Sequence, residues 1–288
     1  MKNIIVTGSA SGFGLLTVKT LAKKGYRVFA TMRNMHTKNA AAAKSIQEWA
    51  SEQRLAVDVV ELDVTSEESV NTAVAEIAAI AGTIDVVINN AGVLIWGLSE
   101  TVSTRQLEHI FQVNVFGSDR VNKAVLPYMH RQNSGLLIQL SSGLSRLHLP
   151  YLGAYSAAKA AIDTLAETLQ YELLDTGIES IIIQPGVYTA TDLIDKLMPV
   201  DNISAAKPYG NFEAKLKSGI GYLFAPAPGS REPQEVAELI ATMIETPHGK
   251  RHTFTAIGIG DGQPALEAIN ESTEKFSRQV QDMLGIRA

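Results

Sequence analysis

Short, almost continuously apolar runs alternate with longer amphipathic stretches along nearly the whole chain. The runs at 3–7, 27–31, 57–62, 84–89, 136–140, 178–184 and 253–258 are mostly rich in Val and Ile. Their lack of polar alternation predicts strands covered on both faces, as in a parallel sheet between helical layers. The stretches between them predict helices at about 12–24, 39–52, 67–81, 104–130, 153–176 and 233–245. Glu67 and Pro233 supply the acidic and proline signals of a helix N-terminus. Repeated β–α units need right-handed crossovers, so the pattern predicts an α/β fold with a doubly wound parallel sheet of about seven strands.

Two regions leave this rhythm. Residues 189–230 form a long connection with Pro199, Pro208, Pro226 and Pro228 and glycines at 210, 219, 221 and 229. Loops of that length in a compact domain usually serve a site, and this one starts beyond a strand end, so it is expected to be a substrate lid. After the last strand, 264–284 predicts a polar helical tail that packs on the body or on a neighbouring subunit. No Pro-, Gly- or Ser-rich linker divides the first 185 residues, so 1–288 is read as one domain.

Composition narrows the chemistry. Hydrophobic residues at 45% and charged residues at 19% describe an ordinary globular chain. A net charge of −5 disfavours nucleic acid and anionic membrane surfaces as partners. The chain has no cysteine, which removes disulfides, thiolate metal sites and a cysteine nucleophile. Its six histidines form no ligand motif; His248 and His252 are separated by Gly249 and read as a solvated turn. The opening MKNIIVTGSASG reads as a buried strand rather than a signal peptide, and no run reaches the ~18 apolar residues of a membrane helix. A cytoplasmic location is expected.

After the first strand, Thr7-Gly8-Ser9-Ala10-Ser11-Gly12-Phe13-Gly14 opens a helix. Glycines there let backbone N–H groups approach a pyrophosphate, and the helix N-terminus adds partial positive charge. Taken alone the glycines also serve tight packing; the strand before, the helix after and the next strand supply the required context. An NAD site wants a carboxylate after the second strand, whereas a 2′-phosphate wants a cation. Here the run is Ala30-Thr31-Met32-Arg33-Asn34, with no acid at the turn. Arg33 offers a planar charged fork, and Ser11 a hydroxyl, so NADP (NADPH) is the expected cofactor.

Ser141-Ser142 ends the fifth strand, and Tyr155-Ser156-Ala157-Ala158-Lys159 begins the next helix. Residues four apart share a helix face, so Tyr155 and Lys159 project together. An ammonium beside a phenol favours the phenolate, which is expected to lower the Tyr155 pKa and make it an acid or base near neutrality. Ser142 is placed to hydrogen-bond a substrate oxygen. Asn114 lies in an apolar helical stretch, where it must find hydrogen bonds, and the nearby Gly117 points to a local irregularity.

As a set these residues resemble the classical short-chain dehydrogenase/reductase family over nearly the first 190 residues, and with it a Rossmann-type fold. The resemblance rests on the TGxxxGxG loop at 7–14, Asp63-Val64, Asn89-Asn90-Ala91-Gly92 and Asn114. It continues with Ser142 thirteen residues before Tyr155, then Lys159 and Pro185-Gly186. The ATMRN segment resembles NADP-preferring members, and the middle of the chain is similar to hydroxysteroid or retinol dehydrogenases and related ketoreductases. The resemblance implies that Tyr155 is the general acid/base, that Lys159 holds the nicotinamide ribose, that Ser142 positions the carbonyl and that Asn114 maintains a water-linked relay. It further implies adenine contacts from Asp63 and Val64, ribose contacts from Asn90, Ala91 and Gly92, and nicotinamide contacts from Pro185, Gly186 and Val187. Where the family usually has Thr, this chain has Ala190 between Thr189 and Thr191, and Thr189 is assigned to that contact. A homodimer or homotetramer is implied too.

The expected reaction is reversible hydride transfer between the nicotinamide and a carbonyl or secondary alcohol. Leu94, Trp96, Leu144, Leu147, Leu149, Leu193 and Leu197 point to a pocket for a hydrophobic ketone or aldehyde, while Arg146 leaves an anionic substrate open. The rival from another class is a regulatory protein that senses NADP without turnover; it would need no intact Ser, Tyr and Lys.

Overall fold

The computed structural model describes residues 1–188, 197–223 and 231–285. Among the described residues seven strands form one parallel sheet: β1 (Asn3–Thr7), β2 (Arg27–Met32), β3 (Val57–Glu61), β4 (Val86–Asn89), β5 (Gly135–Leu140), β6 (Ile178–Pro185) and β7 (Phe254–Ile257). Their spatial order is β3-β2-β1-β4-β5-β6-β7. The order reverses beside β1, so the crevice for a ligand lies beyond the C-terminal ends of β1 and β4. Register aligns those ends: Thr7 pairs with Thr31, Asn89 with Gln139, Leu140 with Ile183 and Pro185 with Ile257.

Alternation along each strand sends side chains to two cores. Ile4 and Val6 pack with Val18 and Leu21 of α1 (Gly12–Lys23), Ile46 of α2 (Ala40–Glu52) and Val236 and Ile240 of the helix Gln234–Glu245. Ile5, Phe29 and Val87 pack on the opposite face with Val74 and Ile77 of α3 (Glu67–Ala81) and Val121 and Val125 of the helix Phe116–Gln132. α3 starts where Ser66 accepts from the Ser69 N–H and Glu67 and Glu68 face the helix dipole.

The single helix expected over 104–130 is two, α4 (Thr104–Asn114) and α5 (Phe116–Gln132), broken at Val115. Two local demands break it. The Asn114 amide is drawn to the backbone of Val93, and a side chain at Gly117 would meet Val64 at 2.9 Å. α6 (Gly153–Glu172) carries the Tyr–Lys pair, and the expected connection at 189–230 contains its own helix, α7 (Phe212–Leu223), after a 3-10 segment at Ile203–Tyr209. The remaining parts of that connection, 189–196 and 224–230, lie outside the described residues. α8 (Gln234–Glu245) and α9 (Gln263–Met283) flank β7. α9 buries Leu266 and Asn270 against the body. Among the described residues no helix is long and apolar enough to cross a membrane.

Candidate active site

The chemically marked residues follow strand C-termini, which is why a linear order of motifs becomes one cleft. A cavity of about 1240 Å³ runs along these ends, from Arg33 and Asp63 past the glycine turn to Ser142 and Tyr155. That exceeds the range typical of a single small-molecule pocket.

At one end, Gly8 and Gly12 take positive φ values of 69° and 56°, which L side chains rarely adopt. A Cβ on Gly14 would press into the Gly8 carbonyl and the Asn90 amide. The first turn of α1 carries no acid, so its N–H groups face the cleft without a competing charge. Phe13 stands edge-on to Tyr188, with ring centroids 5.3 Å apart. Asn90 secures the turn: its Nδ2 donates to the Thr7 carbonyl at 2.7 Å and the Gly8 carbonyl at 3.1 Å. Thr7 Oγ1 in turn accepts from the N–H groups of Asn90 and Ala91, both at 3.0 Å. Thus Asn90 is spent on building the cradle.

Arg33 is exposed at the rim, with Lys38 and Asn39 beside it on the cleft wall. Lys38 and Asn39 were not singled out by sequence; only the fold of the loop brings them alongside. Asn39 Nδ2 donates to the Arg33 carbonyl at 2.6 Å, shaping that loop. Glu61 of β3 accepts from the Asn34 N–H at 3.3 Å and is not part of the cleft wall. Asp63 accepts at Oδ1 from Thr65 N and Oγ1, at 2.9 and 2.7 Å, and lines the cleft with Val64. This donor set, a glycine cradle at a helix N-terminus, fits the pyrophosphate of a dinucleotide.

At the other end Ser142, Tyr155 and Lys159 line the cleft together, with Tyr155 and Lys159 on the shared helix face that their four-residue spacing predicts. Ser142 begins a 3-10 turn (Gly143–Ser145), where its Oγ accepts from the Leu144 N–H at 3.2 Å, and its hydroxyl also reaches the Tyr155 phenol. Lys159 Nζ donates to the Leu140 carbonyl at 2.9 Å and lies 5.6 Å from the Tyr155 ring centroid. The expected lowering of the phenol's pKa is reversed in the protein: burial pushes Tyr155 up to about 12, against the pull of Ser142. Burial also brings Lys159 down to about 8, opposed by the nearby Asp163. Desolvation is the largest influence on both groups.

Asn114 Oδ1 accepts from Val93 N at 2.8 Å and its Nδ2 donates to Val93 O at 2.9 Å. Its amide is therefore occupied by the segment that carries Gly92. Pro185, Gly186 and Val187 line the cleft after β6. Thr189 and Thr191 lie outside the described residues, as does Leu193. Leu94, Trp96, Leu144, Leu147, Leu149 and Leu197 all face the cavity, joined by Leu266 and Ile269 of α9. The α9 residues were missed in the sequence, since a polar tail helix gives no sign of which turn it lays on the cleft. Arg146 Nε donates to Asn270 Oδ1 at 3.2 Å, and its guanidinium packs 5.1 Å from the Phe254 ring. Those contacts tie it to the protein's own groups.

The family described as short chain dehydrogenase matches residues 2–200. The chain is 33% identical over 252 residues to the uncharacterized oxidoreductase YusZ of Bacillus subtilis, covering 86% of each chain. It is 31% identical over 257 residues to retinol dehydrogenase 8 of Homo sapiens, covering 85% of this chain and 78% of that one. Among solved structures it is similar to an actinorhodin polyketide ketoreductase variant with NADPH, at a TM-score of 0.75 and 25% identity, covering 91% of this chain and 97% of that one.

Proposed function

Since the chain belongs to the short-chain dehydrogenases, a family of nicotinamide-dependent oxidoreductases, we propose that it is an NADP(H)-dependent reductase of hydrophobic ketones or aldehydes. The observation that carries this reading is the single cleft that joins the glycine cradle and Arg33 at one end to Ser142, Tyr155 and Lys159 at the other. Gly8, Gly12, Phe13 and Gly14 with the α1 N-terminus take the pyrophosphate, and Ser11 and Arg33 take the 2′-phosphate. Asp63 and Val64 bound the adenine end, Ala91 and Gly92 the ribose, and Pro185, Gly186 and Val187 the nicotinamide face. The bound nicotinamide supplies the hydride in reduction.

The protein's own part is to hold the carbonyl and move a proton. Ser142 hydrogen-bonds the carbonyl oxygen. Tyr155, kept protonated by burial at neutral pH, donates its proton to that oxygen as negative charge develops there. Lys159 holds the nicotinamide ribose and steadies the phenolate left behind. Asn114 fixes Val93 and Gly92 on the cleft wall and keeps the α4–α5 break open beside them. The leucine-lined wall with Trp96 suits an apolar carbonyl compound, in keeping with the similarity to a retinol dehydrogenase.

The test is loss of reduced-nicotinamide absorbance with NADPH and NADH side by side, over a panel of apolar ketones and aldehydes. Turnover with NADPH is the expected result. In Arg33→Ala, NADPH binding is expected to weaken about 10- to 100-fold, the loss of a charge-assisted phosphate contact, with NADH binding unchanged. Equal losses for the two cofactors would remove the phosphate assignment. NADPH binding without turnover of any carbonyl would favour a sensor instead.

A further inference from the structure

Asp163 lies on α6, four residues beyond Lys159 and eight beyond Tyr155, so the three share one helix face. It is fully buried, at 0% exposure. A carboxylate taken wholly out of water is costly unless donors and a counter-charge surround it. Burial pushes the Asp163 carboxyl above the usual carboxylate range, while hydrogen-bond donors and the nearby Arg146 guanidinium pull it back down. Gln184 of β6 donates from Nε2 to Asp163 Oδ2 at 2.9 Å, and the hydroxyls of Ser141 and Ser145 lie against the carboxyl group.

Gln184 is itself held on two further sides. Its Nε2 donates to Ser145 Oγ at 3.0 Å, and its Oε1 accepts from Asn270 Nδ2 of α9 at 2.7 Å. Asn270 Oδ1 accepts from Arg146 Nε at 3.2 Å, which returns the chain of contacts to the end of the Ser142 turn. Two of these anchors, Ser141 and Ser145, bracket Ser142. The tail helix thus reaches the catalytic wall through two amides, neither of which touches the cleft's reacting groups.

We propose that Asp163 is a positioning residue for this site, a buried acid on the helix face of Lys159 whose charge supports the Lys159 ammonium and which clamps the Ser141–Ser145 turn, with Gln184 and Asn270 holding it in place. The inference rests on the reading that Lys159 acts as a cation in the reaction. The charged and titratable groups around the pair are Tyr155 and Glu167 on α6, Arg146 beyond the turn and Glu274 on α9. Arg146 lies near Glu167, Nη2 to Oε2 4.0 Å, and its charge also reaches Asp163, while Asp163 is the acid that acts on Lys159. Burial favours the neutral amine at Lys159 and Asp163 opposes it; without Asp163 the lysine gives up its proton at lower pH.

The test is a ¹³C NMR titration of the full chain labelled at lysine Cε, with the Lys159 resonance assigned by its loss in Lys159→Arg. In Asp163→Asn the Lys159 midpoint is expected to fall by about one pH unit relative to the wild-type chain. Gln184→Met, which removes a donor to the carboxylate and keeps the side-chain volume, is expected to move it the same way by less. This variant carries the test if Asp163→Asn does not fold. A Lys159 midpoint unmoved in a folded variant overturns the proposal. The titration needs neither cofactor nor substrate, so a shifted midpoint in a chain that reduces no carbonyl would refute the reductase reading and leave the pairing of Asp163 with Lys159 intact.

Discussion

Tyr155→Phe is expected to lower kcat for carbonyl reduction by about 10²–10⁴-fold, the span attributed to a positioned acid or base, while NADPH affinity stays within a factor of about two. The substitution removes one oxygen and nothing else. The ring keeps its place among Leu152, Trp96 and Ile95, in the two small apolar clusters that flank the cleft. The glycine cradle is built by Thr7 and Asn90 and does not depend on the phenol. What the variant lacks is the proton for the carbonyl oxygen, which the wild-type phenol retains because burial holds its pKa up at about 12. Steady-state kinetics together with NADPH fluorescence titration and a thermal melt check the three parts separately. Retained turnover would end the acid/base assignment, whereas joint loss of cofactor binding and thermal stability would give the phenol a structural role.

Arg251→Ala is expected to cost about 3–5 kcal/mol of stability, read as a lower urea midpoint with little change in slope. Arg251 and Glu179 form an ion pair in which both side chains are nearly inaccessible, at 6% and 5% exposure. Arg251 also donates from Nε to the Met243 carbonyl at 2.6 Å and from Nη2 to the Thr246 carbonyl, so it caps the C-terminal end of α8. Glu179, at the start of β6, accepts from the Gly249 N–H at 2.9 Å. Truncating the arginine leaves a buried carboxylate with one backbone donor and frees the helix-end carbonyls together. The pair lies at the opposite end of β6 from Pro185, so any activity lost should track the unfolded fraction. A loss under 1 kcal/mol would mean that solvent reaches Glu179 readily once the arginine is gone.

Of the site, the parts legible in the sequence were those whose chemistry depends on neighbours along the chain. The glycine spacing of 8, 12 and 14 encodes a strand–turn–helix cradle, and the four-residue step from Tyr155 to Lys159 encodes a shared helix face. The seven apolar runs anticipated the seven strands to within a few residues at each end, because strands buried on both faces leave little room for polar residues. The expected single helix at 104–130 failed for a reason outside its own sequence. Asn114 is claimed by Val93, twenty-one residues earlier, and Gly117 is pressed on Val64.

The tertiary structure alone decided the balance of charge around the wall of Ser142, Tyr155 and Lys159. Sequence spacing puts an ammonium next to a phenol and so predicts a lowered phenol pKa; burial of both groups reverses that for Tyr155. Asp163 reads in the sequence as one of three acids on a long helix, and Gln184 as a polar residue ending a strand. Their pairing, with Asn270 brought in from the far end of the chain, exists only once β6, α6 and α9 are packed together. The physical reason is range. Dihedral preferences, helix faces and strand alternation are set by residues a few positions apart, so the sequence determines the elements, their order and the motifs at their ends. Desolvation and buried hydrogen bonding depend on what other segments bring, so the protonation states and positioning partners of those same motifs are fixed by the packed fold.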